Sequence, residues 1–218
     1  MRYPKKGGFK SFLKILADGA EIRYKHILTA IDPKAKTYTC KTPEGYITEN
    51  YDRLISSLPL PIMIEAMGDS VPQKVQKAAH KLRCTSGYQV SIGLKTKNIP
   101  PYLWWYIYDE DILPARVYSP SLKSPDNVPE GCSSLQLEIY CTKGKYTEED
   151  IIRGSVERLC DLNIINREDI LFTDIRFEPF ANVIFDHNVY ECRDKVRGYL
   201  KAHNIDTIGR FGEWEYYW

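Results

Sequence analysis

Two stretches of the chain alternate apolar and polar residues with the period of a β-strand. From Gly87 to Thr96 the apolar positions are Tyr88, Val90, Ile92 and Leu94; from Cys132 to Thr142 they are Leu135, Leu137 and Ile139. Successive strand side chains point to opposite faces, so each stretch predicts a long strand with one buried face. Between them, Leu103-Trp104-Trp105-Tyr106-Ile107-Tyr108 is a β-prone aromatic run. Asp109-Glu110-Asp111 turns it, Ala115 to Ser119 returns, and Pro120 to Gly131 reads as a proline-containing loop. These connections are too short for helical crossovers, so the strands should run antiparallel.

The period then lengthens. Thr147 precedes three acids, Glu148, Glu149 and Asp150, as an N-cap does, and Ile151, Ile152, Ser155, Val156 and Leu159 form one apolar stripe. Ile170 to Phe185 is strand-like, bent at Pro179. Asn188 to His203 is a second amphipathic helix, with Val189, Cys192, Val196, Tyr199 and Leu200 inward and Asn204 placed at its end.

Upstream, Lys6 to Asp18 predicts a short helix, since Phe9, Phe12, Leu13 and Leu16 recur at helical spacing. Glu21 to Leu58 reads as a β-meander, punctuated by Asp32-Pro33 and Pro43-Glu44-Gly45. Leu60 to Arg83 is helical in two pieces, broken at Gly68-Asp69-Ser70, with Ser70 as the expected cap of the second. The fold class is therefore α+β. A mixed, mostly antiparallel sheet is expected over 87–142 and 170–185, covered by helices at 147–161 and 188–203, beside a small β-meander.

Composition narrows the function classes. The 218 residues suffice for a sizeable core, and 30 basic against 29 acidic residues give no global signature of nucleic-acid binding. The first seventeen residues are locally basic, which a solvated helix face explains. The six cysteines show no C-x-x-C spacing and the four histidines lie far apart, so neither a metal site nor a Ser-His-Asp triad is indicated. With no signal-peptide pattern and no apolar run of membrane-spanning length, a cytoplasmic protein with free thiols is expected.

Two places carry candidate chemistry. In Gly209-Arg210-Phe211-Gly212-Glu213-Trp214-Glu215-Tyr216-Tyr217-Trp218, a glycine and an arginine lead into flat aromatic rings. That combination suits a ligand bearing both phosphate and a ring, or else a strand end followed by core aromatics. Arg116 lies on a strand among Leu113, Pro114 and Val117, where an arginine is either ion-paired or holds an anion. Trp104, Trp105, Tyr106 and Tyr108 are able to wall a sugar or nucleotide site, although alternation commits about half of them to packing.

The terminal Gly209–Tyr217 segment resembles the flavin segment of the FAD-dependent amine oxidoreductases, in the branch with UDP-galactopyranose mutase and protoporphyrinogen-oxidase-like proteins. Tyr3-Pro4-Lys5-Lys6-Gly7-Gly8-Phe9, Tyr51 to Leu60 and Arg116-Val117-Tyr118-Ser119-Pro120 agree with it in order. The family's G-x-G-x-x-G, which holds the FAD pyrophosphate at a helix end, does not occur in this sequence.

The resemblance implies a division into 1–60 as part of an FAD domain, 61–203 as a substrate-binding domain, and 204–218 as a return strand and flavin-binding segment. It implies cofactor contacts at Leu28 (through its backbone), Gly209 and Arg210, and substrate contacts at Arg116 and Tyr216, to which Trp104 and Tyr106 add ring surfaces. FAD would belong to the whole flavoprotein and is not expected to stay bound to this chain alone. No catalytic side chain follows, because in this family the flavin does the chemistry. The implied activity is that of an oxidoreductase or mutase acting on a nucleotide sugar or other cyclic substrate, in cell-surface polysaccharide biosynthesis. A non-catalytic carbohydrate-binding or interaction module on the same scaffold remains the alternative.

Overall fold

The computed structural model describes residues 2–217. In chain order the elements are α1 (Lys14–Ala17), β1 (Ile27–Asp32), β2 (Thr37–Thr42), β3 (Gly45–Asn50), β4 (Leu54–Ser56), α2 (Leu60–Met67) and α3 (Gln73–Lys81). Then come β5 (Cys84–Leu94), β6 (Trp104–Tyr106), β7 (Arg116–Tyr118), α4 (Pro120–Lys123), β8 (Ser133–Tyr140) and α5 (Glu148–Asp161). The chain continues with β9 (Ile170–Val183), α6 (Val189–Ala202), β10 (Ile205–Thr207) and α7 (Gly209–Glu213). The α+β class holds, with sheets that are mostly antiparallel.

The chain divides into two compact units: residues up to Glu21 with Ser86–Pro179, and Ile22–Thr85 with Phe180 onward. This interleaving differs from the linear division expected at residues 60 and 203. The chain passes from one unit to the other after Glu21, within β5 and again within β9, and no composition shift marks the two strand interiors.

The first unit is built on a five-stranded sheet of order β6-β7-β8-β5-β9. Strands β6, β7, β8 and β5 are antiparallel neighbours. Their inward residues Val90, Ile92, Leu94, Val117, Leu135, Leu137 and Ile139 are buried together with Ile151, Val156 and Leu159 of α5. Thr147 caps α5 as expected, its Oγ1 accepting from the Asp150 backbone N–H at 3.0 Å. Two expectations fail in this unit. The helix expected over 6–18 is a 3-10 turn, Phe9–Phe12, followed by the short α1, and Phe9, Phe12, Leu13 and Leu16 are exposed rather than inward. The segment read as a loop after Ser119 holds α4 and a 3-10 turn at Pro125–Asn127, with Ser119 capping α4.

In the second unit, α2, α3 and α6 pack with β1, β4 and β10 around Leu60, Met63, Ile64, Val75, Val196, Leu200 and Ile205. The meander is real for β1, β2 and β3. β4 leaves it and pairs in parallel with β10, with Leu54, Ile55 and Ser56 opposite Ile205, Asp206 and Thr207. Helix α6 buries Val189, Cys192, Val196 and Leu200 as its pattern demanded. It packs on α3 and α2, in a core that also takes in Phe180 and Val183 from the end of β9. Ser70 is not the cap of α3: Pro72 occupies that position, and the Ser70 hydroxyl donates back to the Met67 carbonyl at 2.7 Å.

Candidate functional site

The solvent-facing side of the five-stranded sheet gathers aromatic and charged residues. Register fixes the grouping: Trp104 lies opposite Tyr118, Tyr106 opposite Arg116, and Arg116 opposite Glu138. Trp105, Val117 and Leu137 sit between them in sequence and point to the other, core face. Alternation thus sorts the aromatic run as it should: Trp104 and Tyr106 are left exposed while Trp105 packs inward.

Arg116 is bound to Glu138 in a fork. Its Nε donates to Oε2 at 3.0 Å, and one terminal nitrogen donates to Oε1 at 2.6 Å and to Oε2 at 2.7 Å. Glu138 also accepts from the Tyr140 hydroxyl at 2.7 Å. The Arg116 guanidinium lies 5.9 Å from the centre of the Tyr106 ring. Its bond to Glu138 holds the arginine pKa above its already high ordinary value. This pair is a preformed donor–acceptor array, half-shielded from water, beside an exposed ring.

Next to it, the Tyr118 hydroxyl oxygen accepts a hydrogen bond from the Gln89 side-chain amide, and burial, then the Glu138 charge, pushes the Tyr118 pKa up to about 12. The Lys123 ammonium, from the last turn of α4, stands 4.3 Å from the Tyr118 ring centre and 5.3 Å from that of Tyr3. Burial, and then the Arg116 charge, lower the lysine pKa. Tyr3 is held there by its own segment: the Pro4 carbonyl accepts from the Ser124 hydroxyl, and the Gly7 N–H donates to Asp126 at 2.7 Å.

The residues expected to touch a cofactor lie in the second unit. Leu28 sits on β1 opposite Cys40, beside a register shift that leaves Thr29 out of the pairing with β2. Its side chain is half-buried against the core of that unit. Gly209, at φ +76°, starts α7 in a conformation that favours glycine. Among the described residues the Arg210 guanidinium makes long contacts, 3.4 Å to the Asn182 side chain and 3.4 Å to the Tyr217 carbonyl, and stands 5.1 Å from the Tyr216 ring centre. Gly212 is required for packing, because a Cβ there would lie 2.9 Å from the Ser56 carbonyl oxygen.

The aromatic tail splits in two. Trp214 is fully buried in the core of the second unit, at φ +53°, so it is no stacking platform and follows the core-aromatic alternative. Tyr216 and Tyr217 are partly exposed; Trp218 lies outside the described residues.

The structure therefore brings Trp104, Tyr106 and Arg116 together on one sheet face, and Gly209, Arg210 and Tyr216 together at α7. Sequence reasoning missed Glu138, Tyr118, Gln89 and Lys123. The alternation that put Leu137 and Ile139 in the core already placed Glu138 on the opposite face, and that signal was there to use. A cavity of about 630 Å³ also opens in the first unit, lined by Ile99, Leu122, Pro125, Val128, Pro129 and neighbouring polar groups; it contains none of the predicted site residues. Among the described residues no cluster of His, Cys, Asp and Glu is arranged to hold a metal ion. No helix among them is long and apolar enough to cross a membrane.

The fold is shared with several solved structures. Reduced UDP-galactopyranose mutase superimposes with a TM-score of 0.81 at 24% identity, over 98% of this chain and 47% of that one. A protein assigned as a protoporphyrinogen oxidase from Exiguobacterium sp. 255-15 follows, with a TM-score of 0.68 at 15% identity, over 93% of this chain and 46% of the other. The fatty acid isomerase of P. acnes that produces CLA gives 0.63 at 13% identity, over 94% and 49%. The chain spans about half the length of each of these structures. No protein-family description matches the sequence, and no curated protein is significantly similar to it.

The donors at these positions suit only part of FAD. The loosely held Arg210 has guanidinium donors to spare for an anion, and the Leu28 backbone lies at an irregular point of its strand. The pyrophosphate, by contrast, needs a glycine-rich turn at a helix N-terminus, and the sequence contains no G-x-G-x-x-G. The residues present do not by themselves fit the whole cofactor.

Proposed function

We propose that this chain is the substrate-binding portion of an FAD-dependent oxidoreductase or mutase that acts on a nucleotide sugar in the cytoplasm, within cell-surface polysaccharide biosynthesis. The exposed face of the five-stranded sheet is its substrate surface. The observation that carries the reading is the cross-strand grouping of Trp104, Tyr106 and Arg116 on that face, with Glu138 orienting the arginine. Rings with one polar edge stack on Trp104 and Tyr106 at little entropic cost, and a forked guanidinium recognises phosphate. Tyr216 and Arg210, stacked on each other at α7, are the residues assigned to substrate phosphate and flavin phosphate. Leu28 and Gly209 complete the flavin-side contacts. FAD belongs to the whole enzyme and supplies the redox chemistry when bound.

The test is calorimetric titration of the chain with UDP-galactose, with free galactose as control, in the parent and in Trp104→Ala. Saturable binding of the nucleotide sugar, lost in Trp104→Ala, is expected. Heat of dilution alone with UDP-galactose would remove the reading.

A further inference from the structure

Arg116 is the residue that the family resemblance nominates for the substrate diphosphate, yet its charge is already matched. Nε and a terminal nitrogen of its guanidinium are held by the two carboxylate oxygens of Glu138 at 2.6–3.0 Å. The pair together is close to neutral, and a dianion approaching it meets the carboxylate as well as the guanidinium. A ligand carrying two phosphates would need a positive charge that is not already compensated.

One stands beside the pair. The Lys123 ammonium forms no ion pair with a carboxylate among the described residues; its neighbours are the rings of Tyr118 and Tyr3. Aromatic faces attract a cation without neutralising it, and they hold its position. Three features fix this lysine. The Ser119 cap sets α4, which carries it. Tyr118 is anchored on β7 and bonded by Gln89. Tyr3 is tethered through Pro4 to Ser124, just before the following 3-10 turn, and through Gly7 to Asp126 within it. The ring of Tyr118 is shared: Lys123 lies on it, and Trp104 is its direct cross-strand partner.

We infer that Lys123 is the anion-binding group of this face, and that the face takes the nucleoside diphosphate part of its substrate with a ring on Trp104 and the phosphates at Lys123. On this view Arg116, oriented by Glu138, adds hydrogen bonds to the ligand, while Lys123 supplies the charge that no carboxylate already matches. The inference rests on the proposed substrate surface and adds to it which residue reads the charge. The lowered lysine pKa agrees with it, since a partly desolvated ammonium gains more from an incoming anion than one fully exposed to water.

The experiment titrates the chain with UDP and, separately, with uridine, in the parent, Lys123→Gln, Lys123→Arg and Arg116→Gln. Lys123→Gln is expected to weaken UDP about tenfold or more and to leave uridine unchanged, the loss typical of one hydrogen bond to a charged group. Lys123→Arg should recover most of the UDP affinity. Unchanged UDP affinity in Lys123→Gln, with a loss in Arg116→Gln, would overturn this inference and leave the proposed function standing. Equal losses of UDP and uridine in Lys123→Gln would also overturn it, as the signature of a lysine that merely holds the ring wall. A parent chain that binds neither UDP nor UDP-galactose would overturn both.

Discussion

Arg116 enters the sheet face with its guanidinium already engaged, and Glu138 is the partner that its strand register supplies. Half-exposed ion pairs contribute little on their own, so a double-mutant cycle of Arg116→Ala with Glu138→Gln should give a coupling of about 0.2–1 kcal/mol in urea unfolding. A coupling near zero would mean that the fork does not persist in solution. Tyr118 offers a second reading at this scale. Its hydroxyl is pushed up to about 12, above the ordinary tyrosine value, so folding keeps the proton on. The stability it contributes is then present below about pH 10 and lost as pH rises through 12. Subtracting the ultraviolet tyrosinate titration of Tyr118→Phe from that of the parent should isolate one late-ionising phenol. A difference curve centred near the ordinary value would contradict the burial assigned to Tyr118.

Elements divide into those that the sequence specified and those that needed a partner. α5 was legible throughout, cap and stripe alike. Thr147→Ala should cost about 1 kcal/mol by removing the acceptor for the Asp150 N–H, and thermal unfolding will measure it. β5 and β8 were equally legible, because one face of each is continuously apolar; Leu137→Ala, at a fully buried position, should cost about 2–5 kcal/mol. α6 was legible as a helix with one buried side, but a stripe states only that something covers it. Its packing on α3 and α2 was not in the pattern. β4 and β10 were harder still, being three residues each and joined in parallel across most of the chain. The N-terminal segment misled in the other direction, since the helical spacing of Phe9, Phe12, Leu13 and Leu16 predicted one helix where a 3-10 turn and the short α1 stand, with these side chains exposed. Lys123 escaped notice because α4 was hidden in a segment whose prolines read as loop. Pro120 occupies the first helical position, where proline starts a helix as readily as it ends one.

The whole molecule joins two kinds of site residue, each legible to a different degree. The sheet face followed from alternation once the register was known. The α7 residues rested on the family resemblance, and there the structure separates Trp214, which is core, from Arg210 and Tyr216, which stack on each other. Few contacts to FAD can come from Leu28, Gly209 and Arg210, against an association cost of about 4–15 kcal/mol. The purified chain should therefore be colourless and stay so after dialysis against FAD; a yellow preparation with one flavin per chain would contradict that. The central claim is that the exposed face of the five-stranded sheet receives the nucleotide sugar. Backbone amide shifts on adding UDP-galactose to the isotope-labelled chain test it most directly. Shifts should concentrate at Trp104, Tyr106, Arg116, Tyr118 and Glu138, and leave Val75, Ala78 and Val196 in the other core unmoved. Shifts confined to the cavity around Ile99, Leu122 and Val128, with the sheet face silent, would contradict the account.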